Sequence, residues 1–159
     1  MLRFLLIRRT DQSPEAGAAL VEFALVLPLL LVLLLGMLDF GKAFNYWIDQ
    51  THLANEGARW AAVDKNPGSG TLQQYVRSQA NTAELRDGGT ASVTAPIQIC
   101  ISFPNGTSNV GDPVRVTASA TYNWLPFLGD RLGIAATAIS ASATMRLEAT
   151  PSAYSAGCS

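Results

Sequence analysis

Cysteine and histidine are scarce in this sequence, and their scarcity excludes most metal and nucleophile chemistry. The chain has two cysteines, Cys100 and Cys158, and one histidine, His52. Their spacing fits no metal-ligand pattern, and the sequence contains neither a serine–histidine–aspartate arrangement nor a glycine-rich phosphate loop. We therefore expect a protein that is not an enzyme and that binds no metal or cofactor.

Charge of either sign is also sparse. Charged residues make up 14% of the chain, and the formal net charge at pH 7 is -1. Nucleic-acid binding needs clustered cationic side chains, which this balance does not supply. Nucleic acid is therefore not an expected partner.

A long apolar run near the N-terminus is what the sequence has in abundance. Residues 18–38 contain one charged side chain, Glu22, and at about 1.5 Å per residue they cover the roughly 30 Å hydrocarbon core of a bilayer. A secretory signal peptide has a shorter apolar region with its small-residue cleavage site on the far side. Here the small residues, at 16–19, lie on the near, N-terminal side of the run. The run therefore predicts a transmembrane helix over 18–38.

The cations next to this run predict its orientation. Arg3, Arg8 and Arg9 precede it, whereas Lys42 is the only cation in the twenty residues that follow. Lysine and arginine are enriched on the cytoplasmic side of membrane helices. We expect the N-terminus in the cytoplasm and residues 39–159 in the periplasm, outside a bacterial inner membrane.

Two residues in the run are unusual for an inert anchor. A carboxylate in hydrocarbon costs at least about 2.5 kcal/mol, and a proline removes a helix hydrogen bond. Glu22 either snorkels to the nearby membrane surface or has a functional partner within the membrane. Pro28 either is a tolerated kink that frees the carbonyl of Ala24 or permits a functional bend.

The residues around Glu22 form a motif. Gly17 ends a polar, basic leader, Glu22 follows five residues later, and the aromatic Phe23 comes next. The motif resembles a type IV prepilin processing site. A wider resemblance, to the TadE-like pseudopilins of tight-adherence (Tad) pilus systems, includes GAALVEFALVLP at 17–28, DFGK at 39–42, EGAR at 56–59 and MRLE at 145–148.

This resemblance implies an assembly function. Its expected partners are the membrane, a prepilin peptidase, other pilins or pseudopilins, and the pilus assembly platform. It implies cleavage after Gly17, where glycine lets the backbone lie extended in a protease cleft, and Ala18 becomes the new N-terminus. It also implies that Glu22 pairs with the freed Ala18 amino group of a neighbouring subunit and sets register. Phe23 and Pro28 belong to the same assembly segment.

Beyond the apolar run, a 3.6-residue period without proline predicts a helix over 39–64. We expect Phe44 in the core and Tyr46 in an aromatic belt at the membrane surface. His52 is expected to have a structural role, paired with Asp49 or Glu56. The predicted inward stripe consists of Phe40, Phe44, Trp47, Ile48, Thr51, Ala54, Ala58, Ala61 and Ala62.

The rest of the chain predicts a short helix over 71–85 and then strands over about 92–103, 113–124 and 138–148. Each strand alternates apolar with hydroxyl-rich residues, which is typical of an antiparallel sheet covered on one side by a helix. Periodicity alone therefore predicts an α+β, pilin-like fold. In this fold a long N-terminal helix packs on a small antiparallel sheet of about three strands.

Cys100 falls on the polar face of its predicted strand, and an extracytoplasmic compartment permits disulfides. Either Cys100 bridges to Cys158, or the two are free thiols or pair between molecules. Residues 105–107 match a glycosylation sequon, but the Asn-Gly dipeptide is typical of a turn.

Two functions fit these features. The first is a processed pseudopilin or minor pilin that joins or primes a surface pilus for adhesion or secretion. The alternative is a single-pass periplasmic scaffold or binding protein that is never cleaved. Loss of residues 1–17 in the mature protein distinguishes them.

Overall fold

A computed structural model describes residues 14–126, 129, 131 and 133–159. The chain divides into two compact units, Met1–Leu38 and Asp39–Ser159. The elements are α1 (Pro14–Ala62), α2 (Leu72–Ser78), α3 (Ala83–Asp87), β1 (Gln98–Ser102), β2 (Pro113–Asn123), β3 (Ala136–Arg146) and β4 (Gly157–Cys158). The leader residues used to predict orientation, Arg3, Arg8 and Arg9, lie outside the described part of the chain.

Helix α1 is 49 residues long and contains Pro28 without ending there. In the first unit most of its large apolar side chains are exposed, from Leu20 to Leu38. Exposed apolar surface of this extent is stable against lipid or other apolar helices, not against water. The helix is long and apolar enough to span a membrane, as expected of a single-pass membrane protein.

The second unit contains an antiparallel sheet of four strands in the order β3-β2-β1-β4. Strands β2 and β3 pair along their whole length, from Pro113 opposite Arg146 to Asn123 opposite Ala136. This confirms the predicted α+β class with a long helix on an antiparallel sheet. The sheet has one strand more than predicted, because two-residue β4 is too short to show an alternating pattern.

The core lies between α1 and the alternating apolar face of the sheet. The residues with no exposed surface include Leu53, Ala54, Ala58 and Ala61 from α1 and Ile99, Val114, Val116 and Ala118 from the strands. Small alanines on the helix let it lie close to the sheet. The buried positions of β1 and the first half of β2 alternate with exposed or half-buried residues, most of them polar, as the sequence predicts.

Two predicted elements differ from the structure. The helix predicted over 71–85 is two helices, because Thr82 accepts a hydrogen bond from the Leu85 amide and starts α3 as a new N-cap. The strand predicted over 92–103 is ordered as a strand only over 98–102. Pro96 has no amide hydrogen for a sheet, and the amide of Ile97 donates to the Leu85 carbonyl instead.

The prediction for the two aromatic residues on α1 was wrong. Tyr46 is 2% exposed and belongs to the core, whereas Phe44 is 51% exposed. Phe40, Trp47 and Ile48 of the predicted inward stripe are exposed as well. The stripe failed here because Asp39 and Asp49, which have hydrogen-bond partners elsewhere in the domain, lie on the inward face of α1 together with Tyr46 and Gln50.

Candidate functional site

The predicted processing residues lie at the start of α1. Gly17, Ala18, Glu22 and Phe23 are helical and exposed. No other described side chain lies within 4 Å of the position that a Cβ of Gly17 would occupy. The segment is therefore sterically open in a single chain.

Glu22 and Pro28 are also exposed on α1. Within the described ranges, the ion pairs join Lys42 with Glu84, His52 with Glu56, and Arg86 with Asp87, and Glu22 takes part in none of them. The pairing of Glu22 with Ala18 is a relation between subunits, so it stays a prediction.

In the second unit, one face of α1 packs on the rest of the unit, and the buried carboxylates Asp39 and Asp49 hold it there. We name this side of the helix the attached face. The first carboxylate, Asp39, is 7% exposed. One of its oxygens accepts a hydrogen bond from the Tyr122 hydroxyl, and the other accepts from the Leu125 amide at 2.9 Å. Burial and the neighbouring Asp39 raise the pKa of Tyr122 above its ordinary value, so its hydroxyl stays a donor. Asp39 thus joins the start of this unit to the end of β2.

The second carboxylate lies about three turns further along. Asp49 is buried and accepts from the Asn81 backbone amide at 3.0 Å and from its side-chain amide at 2.9 Å. It therefore holds the connection between α2 and α3. Asp49 does not pair with His52, which lies 3.9 Å from Glu56 instead.

Lys42, also on α1, forms an ion pair with α3. Its Nζ lies 3.1 Å from Glu84 of α3 and 3.2 Å from the Ser92 hydroxyl. The same ammonium lies 5.8 Å from the centre of the Tyr46 ring, within reach of a cation–π interaction.

Gly57 is where α1 comes closest to its neighbours. A Cβ at this position would lie 3.0 Å from Val116 Cγ1 and 3.2 Å from Val76 Cγ2. A side chain here would press on both β2 and α2. The adjacent Ala58 is fully buried, whereas Arg59 is exposed.

The opposite side of α1 is a free face, formed by Phe40, Phe44, Trp47 and Ile48. Each is between 45% and 63% exposed, and the rings of Phe44 and Trp47 lie 5.6 Å apart. Their spacing of four, three and one residues places them on one side of a helix. An exposed aromatic cluster of this kind marks a contact surface.

The comparison with protein families decides how α1 is interpreted. Residues 17–59 match the family model of TadE-like proteins. This segment is TadE-like. The match confirms the TadE-like resemblance over these residues, and its range includes the predicted processing motif from Gly17 onward, Asp39, the free face and Gly57. No curated protein and no solved structure matches the chain.

The TadE-like segment therefore contains both the attached and the free face of α1. Of the motifs that suggested it, DFGK supplies Asp39 and Lys42, and EGAR supplies the close approach at Gly57. The structural importance of Asp39 and Asp49 was missed in the sequence analysis. Their partners, Leu125 and Asn81, are distant in sequence, so the sequence carried no local signal for them.

Cys100 and Cys158 form a disulfide that joins β1 to β4. It lies in the second unit, away from the TadE-like segment in sequence. Of the alternatives that the sequence left open, the structure contains the intramolecular bridge.

Proposed function

We propose that this chain is a membrane-anchored pseudopilin or minor pilin that acts in the assembly of a tight-adherence, type IVb-like pilus used for adhesion or secretion. One observation carries the proposal. The TadE-like match at residues 17–59 coincides with a membrane-competent helix that keeps an apolar free face outside its own domain.

In this proposal residues 18–38 hold the chain in the bacterial inner membrane, with the N-terminus in the cytoplasm and residues 39–159 in the periplasm. The three arginines before the helix support this orientation. The role is structural rather than catalytic, and the partners are other pilins or pseudopilins and the assembly platform.

Processing supplies the charge that assembly uses. A prepilin peptidase cleaves after Gly17, and Ala18 gains a free ammonium group. The Glu22 carboxylate lies four residues further along the same apolar helix. In a low-dielectric bundle, an ammonium from a neighbouring subunit offsets the cost of burying this carboxylate. Subunits in the wrong register leave that charge unpaired.

The free face then supplies lateral contacts. The exposed apolar side chains of this face in the second unit pack on helices of other subunits: Phe40, Phe44, Trp47 and Ile48. Asp39 and Asp49 keep the domain on the attached face through hydrogen bonds. A subunit can therefore join a bundle without exposing its own core.

Co-expression with a prepilin peptidase tests the proposal. Mass spectrometry of the wild-type chain should show loss of residues 1–17, and Gly17→Leu should abolish this loss because leucine does not fit the cleft that accepts glycine. Gly41→Leu is the matched control, since Gly41 lies on the same helix away from the processing site and has open space around it.

An unprocessed wild-type chain would favour the uncleaved scaffold instead. If cleavage occurs, a pilus-assembly assay of the Glu22→Ala variant tests the register-setting role of Glu22. We expect assembly to fail although processing is normal, and normal assembly would refute the register-setting role of Glu22.

A further inference from the structure

The C-terminal residues 149–159, which we name the strap, cross the second unit and are attached at two places. At the first, both Asp64 oxygens act as acceptors. Ser152 donates its amide at 2.8 Å and its hydroxyl at 2.6 Å, and the Ala153 amide donates at 2.8 Å. The next residue, Tyr154, donates its hydroxyl to the Ala61 carbonyl at 2.9 Å. This first attachment thus caps the last turn of α1.

The second attachment lies on β1. Ile99 and Ser159 exchange two backbone hydrogen bonds of 3.1 Å, and Cys158 is bonded to Cys100. Buried Gln73 of α2 donates to the carbonyls of Ser155 and Gly157 at 3.0 and 3.3 Å. The strap therefore occupies the edge of β1 that β2 leaves open.

The two attachments differ in what holds them. At the first, Asp64 makes charge-assisted hydrogen bonds, and the ring of Tyr154 is half-buried 6.4 Å from that of Phe103. Burial raises the pKa of Tyr154 to about 12, so its hydroxyl keeps the proton that it donates. This attachment has its own non-covalent support.

At the second attachment, residues 155–158 are exposed and bury no large apolar side chain. Ordering each residue of this segment costs conformational entropy, and a hydrogen bond that replaces one to water returns little net free energy. Arg77 of α2 also donates to the Ser159 hydroxyl at 3.2 Å. These hydrogen bonds, with Ile99, Gln73 and Arg77, are therefore too weak to keep this segment in place without the covalent bond.

We propose that the strap is a redox-controlled latch, in which the Cys100–Cys158 disulfide alone keeps residues 155–159 on the edge of β1. Closing the latch removes two protons and two electrons from the two thiols. The acceptor is the disulfide of an exchange partner, which becomes a dithiol through a mixed-disulfide intermediate. Cys158 is exposed, so such a partner can reach it. The latch does not depend on the proposed pilus function.

Opening the latch changes one edge of the domain. Reduction leaves the edge of β1 without a partner strand and the buried side-chain amide of Gln73 without its two acceptors. An unpaired strand edge is a site for pairing with other chains. A chain in a reducing compartment would therefore present an edge that the oxidised chain covers.

Hydrogen exchange of the full-length chain in detergent micelles tests the latch. Reduction, or the variant Cys158→Ser, should make the Ile99 amide and the amides of 157–159 exchange at least about tenfold faster. The amides of Ser152 and Ala153, and those that pair β2 with β3, should keep their rates. Alkylation of both thiols verifies complete reduction.

Asp64→Ala is the reciprocal variant. It should release Ser152 and Ala153 while the oxidised chain keeps the Ile99 amide protected. Unchanged exchange at Ile99 after complete reduction would overturn the proposal, since hydrogen bonds alone would then suffice. Faster exchange across β2 and β3 as well would also overturn it, because the disulfide would then hold the whole domain rather than the strap.

Discussion

Replacing Gly57 tests whether close packing of α1 is what fixes the helix on its domain. The chain offers a matched control, because Gly41 lies on the same helix and the same unit but has nothing within 4 Å of its Cβ position. In both places alanine should gain about 1 kcal/mol from its better helix propensity. The two sites therefore differ in packing alone.

The packing around each glycine decides whether its replacement raises or lowers the free energy of unfolding. At Gly41, alanine and leucine should each stabilise the domain by about 0.5–1 kcal/mol, because both are better helix formers than glycine and the position is open. At Gly57, a new Cβ would lie 3.0 Å from Val116 and 3.2 Å from Val76, and both valines are fully buried. Overpacking costs about 1–3 kcal/mol. Gly57→Ala should therefore be neutral to moderately destabilising, and Gly57→Leu should cost about 3 kcal/mol or more.

Guanidinium unfolding in a fixed detergent measures these differences. The three tryptophans, Trp47, Trp60 and Trp124, all lie in the second unit, so their fluorescence reports on the domain and not on the membrane segment. Midpoints should shift with little change in slope. Equal midpoints for Gly57→Leu and Gly41→Leu would refute the packing argument.

Two further predictions concern the carboxylates. Asp39→Ala should destabilise the domain by about 2–3 kcal/mol, because it removes a charged acceptor from buried donors. In a double-mutant cycle with Tyr122→Phe, purely additive losses would contradict the contact. Hydrogen bonds from Ser152 and Ala153 hold the pKa of Asp64 below its ordinary value of 3.8. Its contribution should therefore be complete above pH 3.8 and be lost as the pH falls through the lower folded value. Exchange of the Ser152 amide should accelerate there beyond the intrinsic pH effect, and Asp64→Asn should remove the additional change.

The sheet could be predicted from the sequence because apolar and polar residues alternate along its strands. Alternation at Val114, Val116 and Ala118 is produced directly by one buried and one wet face, and the limits of β2 and β3 agree with the predicted ones within about two residues. Strand β1 was overextended because Val93 and Ile97 are buried in the same alternating pattern without belonging to the sheet. Burial and strand pairing give the same sequence signal.

The attached face of α1 could not be predicted from the sequence in this way. Periodicity places apolar side chains inward, whereas Asp39 and Asp49 are inward here because Leu125 and Asn81 supply donors from distant segments. A carboxylate is buried only where such donors exist, and a single sequence does not reveal them. Tyr46 rather than Phe44 lies in the core, where its ring packs edge-on against that of Tyr122 with 5.7 Å between the centroids.

The arrangement of polar and apolar residues on α1 has a physical consequence for assembly. A conventional amphipathic helix buries its apolar stripe in its own domain and leaves a polar face for solvent. Here hydrogen bonds and small residues such as Ala54 and Gly57 hold α1 on the sheet and the short helices. The large side chains of Phe40, Phe44 and Trp47 are therefore not buried in the domain. Directional hydrogen bonds fix the orientation of the domain on the helix, whereas apolar packing tolerates several neighbours. Under the proposed function, one helix can thus support a rigid domain on one side and variable subunit contacts on the other.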